Sequence, residues 1–335
     1  MSAARRPGRG TNLALLCLLA AALTTGVLAY GTGTPGWATA IAIAHGAAGL
    51  AILTLVPWKS VIVRRGLRRG STGRHVVGAL LGGLVLLAVA GGVGYALTGY
   101  HPVLGVTALG MHVGAGALAV PLLAAHAWGR RQRPRRLDLQ RRNLLRAAGV
   151  TAGSVAAYGG VYGLARALGH PSRPTGSVEA GSGVPAAMPV TQWFTDPVPV
   201  LDAASWSVAV AGRSVAYADL AAGTDTVHGV LDCTGGWYAE QEWRGVRLDR
   251  LISPPPGARS VDVVSETGYR RRLPAGDLQR LYLVTHVAGA PLSAGHGGPV
   301  RLVAPGRRGF WWVKWVRSVQ PSAEPWWAQS PFPLQ

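Results

Sequence analysis

The chain has 335 residues, of which 49% are hydrophobic and 14% are charged, and its formal net charge is +19. This length allows two to three domains of roughly 100–200 residues, and the apolar fraction excludes a disordered chain. Residues 1–178 contain 19 basic residues and one acid, whereas residues 179–335 contain 14 basic residues and 13 acids. Because the excess charge accompanies apolar segments rather than a soluble face that could reach phosphates, nucleic acid is excluded as an expected partner.

The first half of the chain contains five apolar stretches, at about 11–30, 37–57, 76–99, 103–128 and 147–165. About 20 helical residues cross a hydrocarbon core of roughly 30 Å, and the first four stretches reach that length without an internal charge. The sequence therefore predicts a membrane α-helical bundle of about five spans in a lipid bilayer. Residues 1–139 form its four-span part, and residues 140–169 contain the fifth, less hydrophobic span.

The loops between these stretches alternate in charge. Basic residues precede the first stretch and separate the second from the third and the fourth from the fifth, whereas the other two loops, 32–36 and 100–102, carry no charge. Cytoplasmic loops of membrane proteins carry the excess of arginine and lysine. The expected location is the cytoplasmic membrane, with a cytoplasmic N-terminus and the second half of the chain outside.

Four histidines form two predicted pairs in the bundle. His45 and His112 lie about eight and nine residues from the outer ends of their spans, whereas His75 and His126 both lie at the inner face. The 14 residues between His112 and His126 correspond to about 21 Å of rise on nearly one helix face. One helix could thus ligate two stacked b-type haems, an arrangement that resembles membrane dihaem cytochromes in histidine spacing and span count. A quinone site without haem and structural histidines are the alternatives; histidines inside a membrane favour a functional role.

The start of the fifth stretch contains an arginine pair. Residues 140–146 read QRRNLLR, which resembles a twin-arginine export signal, since a hydrophobic residue follows Arg141 and Arg142 two places on. Arginine pairs also occur by chance in basic loops, but this segment must export whatever follows it. Twin-arginine export carries folded domains, which implies a cofactor inserted in the cytoplasm.

The second half of the chain has a different pattern. Residues 170–189 are rich in Pro, Gly and Ser and are predicted to be a linker. Residues 190–335 are predicted to form one α+β, mostly β, domain. The expected strands are Trp206–Val210, Val261–Val264, Leu281–Thr285 and Val300–Val303, and short helices are expected at Tyr217–Ala222 and Gly245–Ile252.

The two cysteines of the chain cannot pair, because Cys17 lies within the first span and Cys233 lies in the exported domain. A lone thiol in an oxidising compartment needs an explanation. A buried core cysteine is the plain interpretation of Cys233. Its place at a strand end, before Gly235 and Gly236, instead indicates a soft thiolate that could bind a metal.

Two segments of the second half carry recognisable motifs. Residues Leu231–Ile252 read LDCTGGWYAEQEWRGVRLDRLI, and residues Gly295–Trp315 read GHGGPVRLVAPGRRGFWWVKW. The first resembles the region around the molybdenum-binding cysteine of the sulfite oxidase family, and the second resembles another conserved block of that family. The resemblance covers roughly residues 190–335 and is closest to the short single-domain form, as in periplasmic methionine-sulfoxide reductases.

The resemblance implies a molybdenum-molybdopterin cofactor and a role for each matching residue. Cys233 matches the thiolate that binds molybdenum and is the expected catalytic residue. The residues that match the cradle of the pyranopterin and its phosphate are His296, Arg301, Trp312, Val313 and Lys314, with Thr267 as a further contact. An upstream cluster of polar residues known in the reductase branch has no clear counterpart around Met188–Asp196.

The implied function is a membrane-anchored oxidoreductase for a small S- or N-oxo substrate, either sulfite oxidation or sulfoxide reduction. Its electrons would pass to or from the membrane quinone pool through haem. The alternative is a non-catalytic binding module of the same fold on a membrane anchor. Arg270, Arg271 and Arg272 could form a rim that attracts anions, but a solvated strand or turn is the favoured interpretation.

Overall fold

The computed structural model of the chain describes residues 8–32, 35–67, 72–128, 138, 140–192 and 196–330. The chain divides into two compact units, Met1–Val178 and Glu179–Gln335. The first unit is helical, and the second consists mainly of β-strands. This division agrees with the change of pattern in the sequence.

The first unit contains the five predicted apolar stretches as helices. They are α1 (Arg9–Gly31), α2 (Pro35–Leu67), α3 (Thr72–Thr98), α4 (Ala108–Trp128) and α5 (Arg141–Ala167). Among the described residues, α1 to α4 are long and apolar enough to cross a membrane, which indicates a membrane protein. Helix α5 has 27 residues but lies outside that set because of its lower hydropathy. A fifth crossing therefore stays a prediction.

Helix packing in this unit follows the rules for apolar surroundings. Helix α1 packs on α2 and α3 on α4, and α5 lies against both α2 and α3. Small side chains are buried between helices, among them Ala47, Ala51 and Ala115, whereas large ones such as Leu80 and Leu118 are exposed. Small residues let helix backbones approach, and in lipid an exposed leucine carries no hydrophobic penalty. The outer surface of this unit is thus suited to a bilayer.

An ion pair joins two helix starts in the first unit. Arg9, the first residue of α1, lies 2.9 Å from the carboxylate of Asp138, which precedes α5. The N-terminal ends of α1 and α5 therefore lie on the same side of the bundle. Other arginines of the predicted cytoplasmic loops, including those at 5, 6, 68, 69 and 130–136, lie outside the described residues.

The described residues from Val178 onward contain two sheets. Strands β1 (Val178–Glu179), β4 (Asp225–Asp232), β5 (Trp237–Arg247), β8 (Tyr282–Val287), β9 (Ala290–Pro291) and β10 (Arg301–Val303) form the first. The second has the order β3-β2-β11-β6-β7, built from β2 (Ser207–Val210), β3 (Arg213–Ala216), β6 (Ser260–Ser265), β7 (Arg270–Pro274) and β11 (Val316–Ser322). The four predicted strands are confirmed with slightly shifted ends, whereas β3, β5 and β11 were not expected.

The largest correction concerns the predicted helix Gly245–Ile252. Only Leu248–Leu251 is helical (α7), while Gly245 to Arg247 end the eleven-residue strand β5. Strand β5 pairs with both β4 and β8, so its backbone is bonded on two sides. At Gly245 a Cβ atom would lie 2.1 Å from the carbonyl oxygen of Leu283, so the approach of β8 requires glycine there. Tertiary pairing decides this segment, not local sequence.

The predicted short helix near residue 217 is confirmed as α6 (Tyr217–Ala221). The segment 170–189, predicted to be a linker, contains β1 and a 3-10 turn at Pro185–Ala187. Its later part is held on β5, because the amide of Ala180 donates to the carbonyl of Tyr238 at 2.9 Å. A composition rich in Pro, Gly and Ser here forms ordered turns beside a sheet.

Candidate active site

Cys233 lies directly after β4, as its sequence context predicts. A tight turn returns the chain to β5: the Cys233 amide donates to the carbonyl of Trp237 at 2.8 Å, and the Gly236 amide donates to the carbonyl of Cys233 at 3.1 Å. The half-buried Sγ atom accepts a hydrogen bond from the Gly235 amide at 3.3 Å. The hydroxyl of Thr191 is also 3.3 Å from this sulfur. The turn thus presents the sulfur at the end of the sheet.

A second loop, which contains Arg308 and Gly309, packs against the backbone beside Cys233. At Gly309 a Cβ atom would lie 3.0 Å from the Cα of Cys233, a closer approach than most Cβ atoms make. The neighbouring Arg308 forms an ion pair with Asp232, and both side chains are buried. Asp232 and Arg308 also form an isolated β-bridge. These contacts, which sequence reasoning missed, hold the backbone beside Cys233.

Arg301 begins β10 and is 3% exposed. Its Nη1 donates to the carbonyl of His296 at 2.8 Å, and its guanidinium lies 5.6 and 5.8 Å from the ring centres of Trp243 and Trp312. Burial lowers the pKa of Arg301 to about 10, and the charge of Cys233 partly offsets that decrease. The side chain is thus a largely desolvated cation in electrostatic contact with the sulfur.

Lys314 places a second cation at the same site. Its Nζ donates to the carbonyl oxygens of Thr191 at 2.8 Å and of Gly295 at 2.6 Å. Burial, followed by the charge of Arg301, lowers the pKa of Lys314 to about 7, and Cys233 and Asp196 oppose that shift. A negative charge bound beside Lys314 would therefore stabilise its protonated ammonium form.

His296 is 6% exposed and is held by the protein through both ring nitrogens. Nε2 lies 3.1 Å from the carbonyl oxygen of Met188 and therefore donates, while Nδ1 lies 2.9 Å from the Ser293 hydroxyl. Burial lowers the pKa of His296, which favours the neutral ring. In this structure the carbonyl of His296 orients Arg301, and its ring anchors the segment around Met188.

Trp312 and Val313 are two further predicted cofactor contacts, and both directly precede Lys314. Trp312 is buried, its indole donates to the carbonyl of Arg307 at 3.1 Å, and its ring packs against Trp243 at 5.6 Å. Val313 is fully buried, and its carbonyl accepts the Leu302 amide at 2.8 Å. Both residues hold the loop from which Lys314 projects.

Thr267 connects to the site through a carboxylate. Its hydroxyl donates to Asp196 at 3.0 Å, and Asp196 acts electrostatically on Lys314. The segment with no counterpart in the sequence comparison thus contributes three contacts, from Met188, Thr191 and Asp196. Their partners lie at least 42 positions away in sequence, so no local signal exists for these contacts.

The arginine triplet of β7 separates into three environments. Arg270 is exposed, whereas Arg272 pairs with Asp262 at 2.7 Å. Arg271 is 2% exposed, and its guanidinium lies 4.2 Å from the ring centre of Trp311. Of the expected strand or turn, the structure shows a strand. A solvated face is wrong for Arg271, because alternation along the strand turns it toward the aromatic rings of the loop.

The bundle brings one predicted histidine pair together. His45 Nε2 lies 3.4 Å from His112 Nε2. The Nδ1 atom of His45 lies 3.0 Å from the carbonyl oxygen of Ala22, and that of His112 lies 2.7 Å from the carbonyl oxygen of Ala88. Carbonyl partners at Nδ1 leave the two Nε2 atoms facing each other, as metal-ligating histidines do.

The second predicted pair consists of His75 and His126, and its position follows from a contact with a neighbouring glycine. His75 lies in the first turn of α3, and a Cβ atom on Gly78 would lie 3.5 Å from His126 Cε1. His126 therefore reaches α3 within one turn of His75. Among the described residues, no group of three or more metal-ligating side chains is found.

The comparisons with known proteins concern the second unit. Residues 195–330 match the family described as the oxidoreductase molybdopterin binding domain. The second unit thus contains a domain that matches this molybdopterin-binding family. Among solved structures, the sulfane dehydrogenase SoxCD from Paracoccus pantotrophus is 22% identical, with a TM-score of 0.36. That match covers 38% of this chain and 40% of the SoxCD chain. A search of curated proteins found no match.

The residues present fit a molybdopterin cofactor. Within the described residues neither Arg301 nor Lys314 forms an ion pair with an acid, so the cationic site is suited to an anionic phosphate. Arg301 Nε and Trp237 Nε1 are buried without hydrogen-bond partners in that same part of the chain. Trp237 Nε1 and the Cys233 sulfur lie 3.6 and 3.5 Å from the point that a Cβ on Gly235 would occupy. An unpartnered donor, Trp237 Nε1, therefore lies near the soft ligand.

Proposed function

We propose that this chain is a membrane-anchored molybdopterin-dependent oxidoreductase that acts outside the cytoplasmic membrane on a small S- or N-oxo substrate. Sulfite oxidation and sulfoxide reduction are the two reactions considered. The observation that supports the proposal is the half-buried sulfur of Cys233 beside two cations, the buried Arg301 and the half-buried Lys314, in a domain that matches the molybdopterin-binding family.

The roles of the residues follow from their contacts. Molybdenum supplies the oxygen-atom and two-electron chemistry when the cofactor is bound. Cys233 provides the soft thiolate ligand. Arg301 offers a planar fork of donors and Lys314 a compact charge, and together they hold the phosphate. The buried pair Asp232–Arg308 keeps the backbone of Cys233 in place, so that the sulfur meets the metal without rearrangement.

The bundle supports electron exchange with the membrane through haem. In this proposal His45 and His112 would hold one haem, which would supply one-electron transfer. The 3.4 Å separation of their Nε2 atoms supports that assignment. Glycines make room around them, since a Cβ on Gly26 would lie 3.1 Å from His45 and one on Gly92 would lie 3.0 Å from His112. Quinone in the bilayer would be the final donor or acceptor.

Metal and pterin analysis of the purified full chain tests the molybdenum assignment. The wild type should contain about one molybdenum per chain, and Cys233→Ser should lose activity because a hydroxyl is a harder, less acidic ligand. Pterin should remain in that variant, since Arg301 and Lys314 hold the phosphate independently. Cys17→Ser, which removes the other thiol on an exposed side of α1, is the matched control and should behave as the wild type.

Two results would contradict the proposal. Full turnover by Cys233→Ser would exclude a molybdenum–thiolate centre. Pterin without molybdenum in the wild type, and no turnover of sulfite or of sulfoxides, would indicate the non-catalytic binding module instead.

A further inference from the structure

The described residues place two hydrogen-bond donors beside the sulfur of Cys233. One is the Gly235 amide, which belongs to the turn itself, and the other is the hydroxyl of Thr191, each at 3.3 Å. Thr191 comes from the segment before β2, 42 positions away in sequence. Its hydroxyl is the only one of the two donors that a substitution can remove.

The position of Thr191 is determined by the site itself. Its carbonyl oxygen accepts a hydrogen bond from Lys314 Nζ at 2.8 Å, and Lys314 also donates to Gly295. The Cγ2 methyl group of Thr191 lies 3.7 Å from the point that a Cβ on Gly235 would occupy. The hydrogen bond from Lys314 thus holds the backbone of Thr191, while its hydroxyl lies beside the sulfur.

A metal-bound thiolate carries no proton, so between these two atoms only the threonine hydroxyl can donate. A hydrogen bond to a ligating sulfur withdraws electron density from the metal–sulfur bond and stabilises the reduced metal. Hydrogen bonds to ligating sulfurs are one of the factors that set the potentials of metal–thiolate centres.

We propose that Thr191 is a positioning residue whose hydrogen bond to Cys233 Sγ raises the reduction potential of the molybdenum centre. The inference rests on the proposed function, because it requires molybdenum on Cys233. Thr191 thereby influences how readily the centre accepts its electrons, while the cations Arg301 and Lys314 retain the cofactor.

Three variants separate the hydroxyl from the rest of the side chain. Thr191→Val keeps the shape and loses the hydroxyl, Thr191→Ala loses the hydroxyl and the Cγ2 methyl group, and Thr191→Ser keeps the hydroxyl. The bond from Lys314 goes to the backbone carbonyl, so all three variants retain it. Valine is the principal test, serine is the matched control, and alanine is the second hydroxyl-free variant.

The measurement is a redox titration of the full-length holoenzyme in detergent, followed through the paramagnetic Mo(V) signal. This signal counts only molecules that contain molybdenum, so partial loading does not disturb the midpoint. At a fixed potential Thr191→Val should shift the Mo(VI)-to-Mo(V) ratio about tenfold toward Mo(VI), which is about 59 mV for a one-electron couple. Thr191→Ala should shift it in the same direction, and Thr191→Ser should match the wild type.

An unchanged midpoint in the valine and alanine variants would overturn the inference and leave the proposed function intact. A shift in the serine variant as large as that in valine would also overturn it, because packing rather than the hydroxyl would then be responsible. A wild-type protein without any Mo(V) signal would overturn the proposed function and this inference with it.

Discussion

Replacement of Arg308 by methionine should destabilise the second unit more than any other removal of a single charge near the site. Arg308 and Asp232 form an ion pair in which the side chains are only 4% and 10% exposed. Methionine keeps the length and apolar volume of the arginine stem but leaves the Asp232 carboxylate buried without its counter-ion. Breaking one partner of a buried pair costs about 3–5 kcal/mol.

The structure also provides a matched control for that substitution. Arg250 pairs with Asp225 at 3.0 Å, but its side chain is 58% exposed. Exposed pairs contribute about 0–1 kcal/mol, so Arg250→Met should change stability little. The double variant Arg308→Met with Asp232→Leu removes both buried charges and should recover most of the loss, since an apolar pair replaces the ionic one.

Urea-dependent pulse proteolysis of the detergent-solubilised full chain measures these differences. With a urea slope of about 2 kcal/mol per molar, Arg308→Met should lower the unfolding midpoint by about 1.5–2.5 M. Because Asp232 directly precedes Cys233, molybdenum content should fall in parallel. Equal midpoints for Arg308→Met and Arg250→Met would refute the reasoning that burial makes the first pair different from the second.

Three further predictions concern the bundle, export and pH. His112→Ala should remove about half of the b-type haem absorbance of membranes, because one centre loses an axial ligand; unchanged spectra would contradict the pairing with His45. Changing Arg141 and Arg142 together to lysine should keep the second unit inaccessible to protease on spheroplasts, and normal accessibility would exclude a twin-arginine signal. Burial lowers the pKa of Lys314 to about 7 from 10.5, so the unfolded chain binds more protons between these values. The free energy of unfolding of cofactor-free protein should therefore rise with pH from about 7 to 9.5, and Lys314→Met should flatten that slope in urea titrations; a slope that persists would place its origin elsewhere.

Patterns of short range were sufficient to predict the bundle and part of the sheets. Runs of about 20 apolar residues require helices in lipid, where every backbone group must be satisfied within its own segment. The strands around residues 208, 263 and 302 were predicted because apolar residues alternate there or form short runs bounded by turns. Strand β5 was missed because it is defined by pairing on both edges, and the resemblance favoured a helix over its last residues.

The residues of the site also divide into those that the sequence predicted and those that only the structure placed there. The sequence by itself predicted Cys233, Arg301 and Lys314 as site residues, from a lone thiol at a strand end and from the resemblance of two ordered motifs. Only the tertiary structure decided that Thr191 contacts the sulfur and that Arg308 neutralises Asp232. These contacts join residues 42 and 76 positions apart, and their strength depends on burial. Burial is created by the packing of the whole domain, so no local pattern of residues records it.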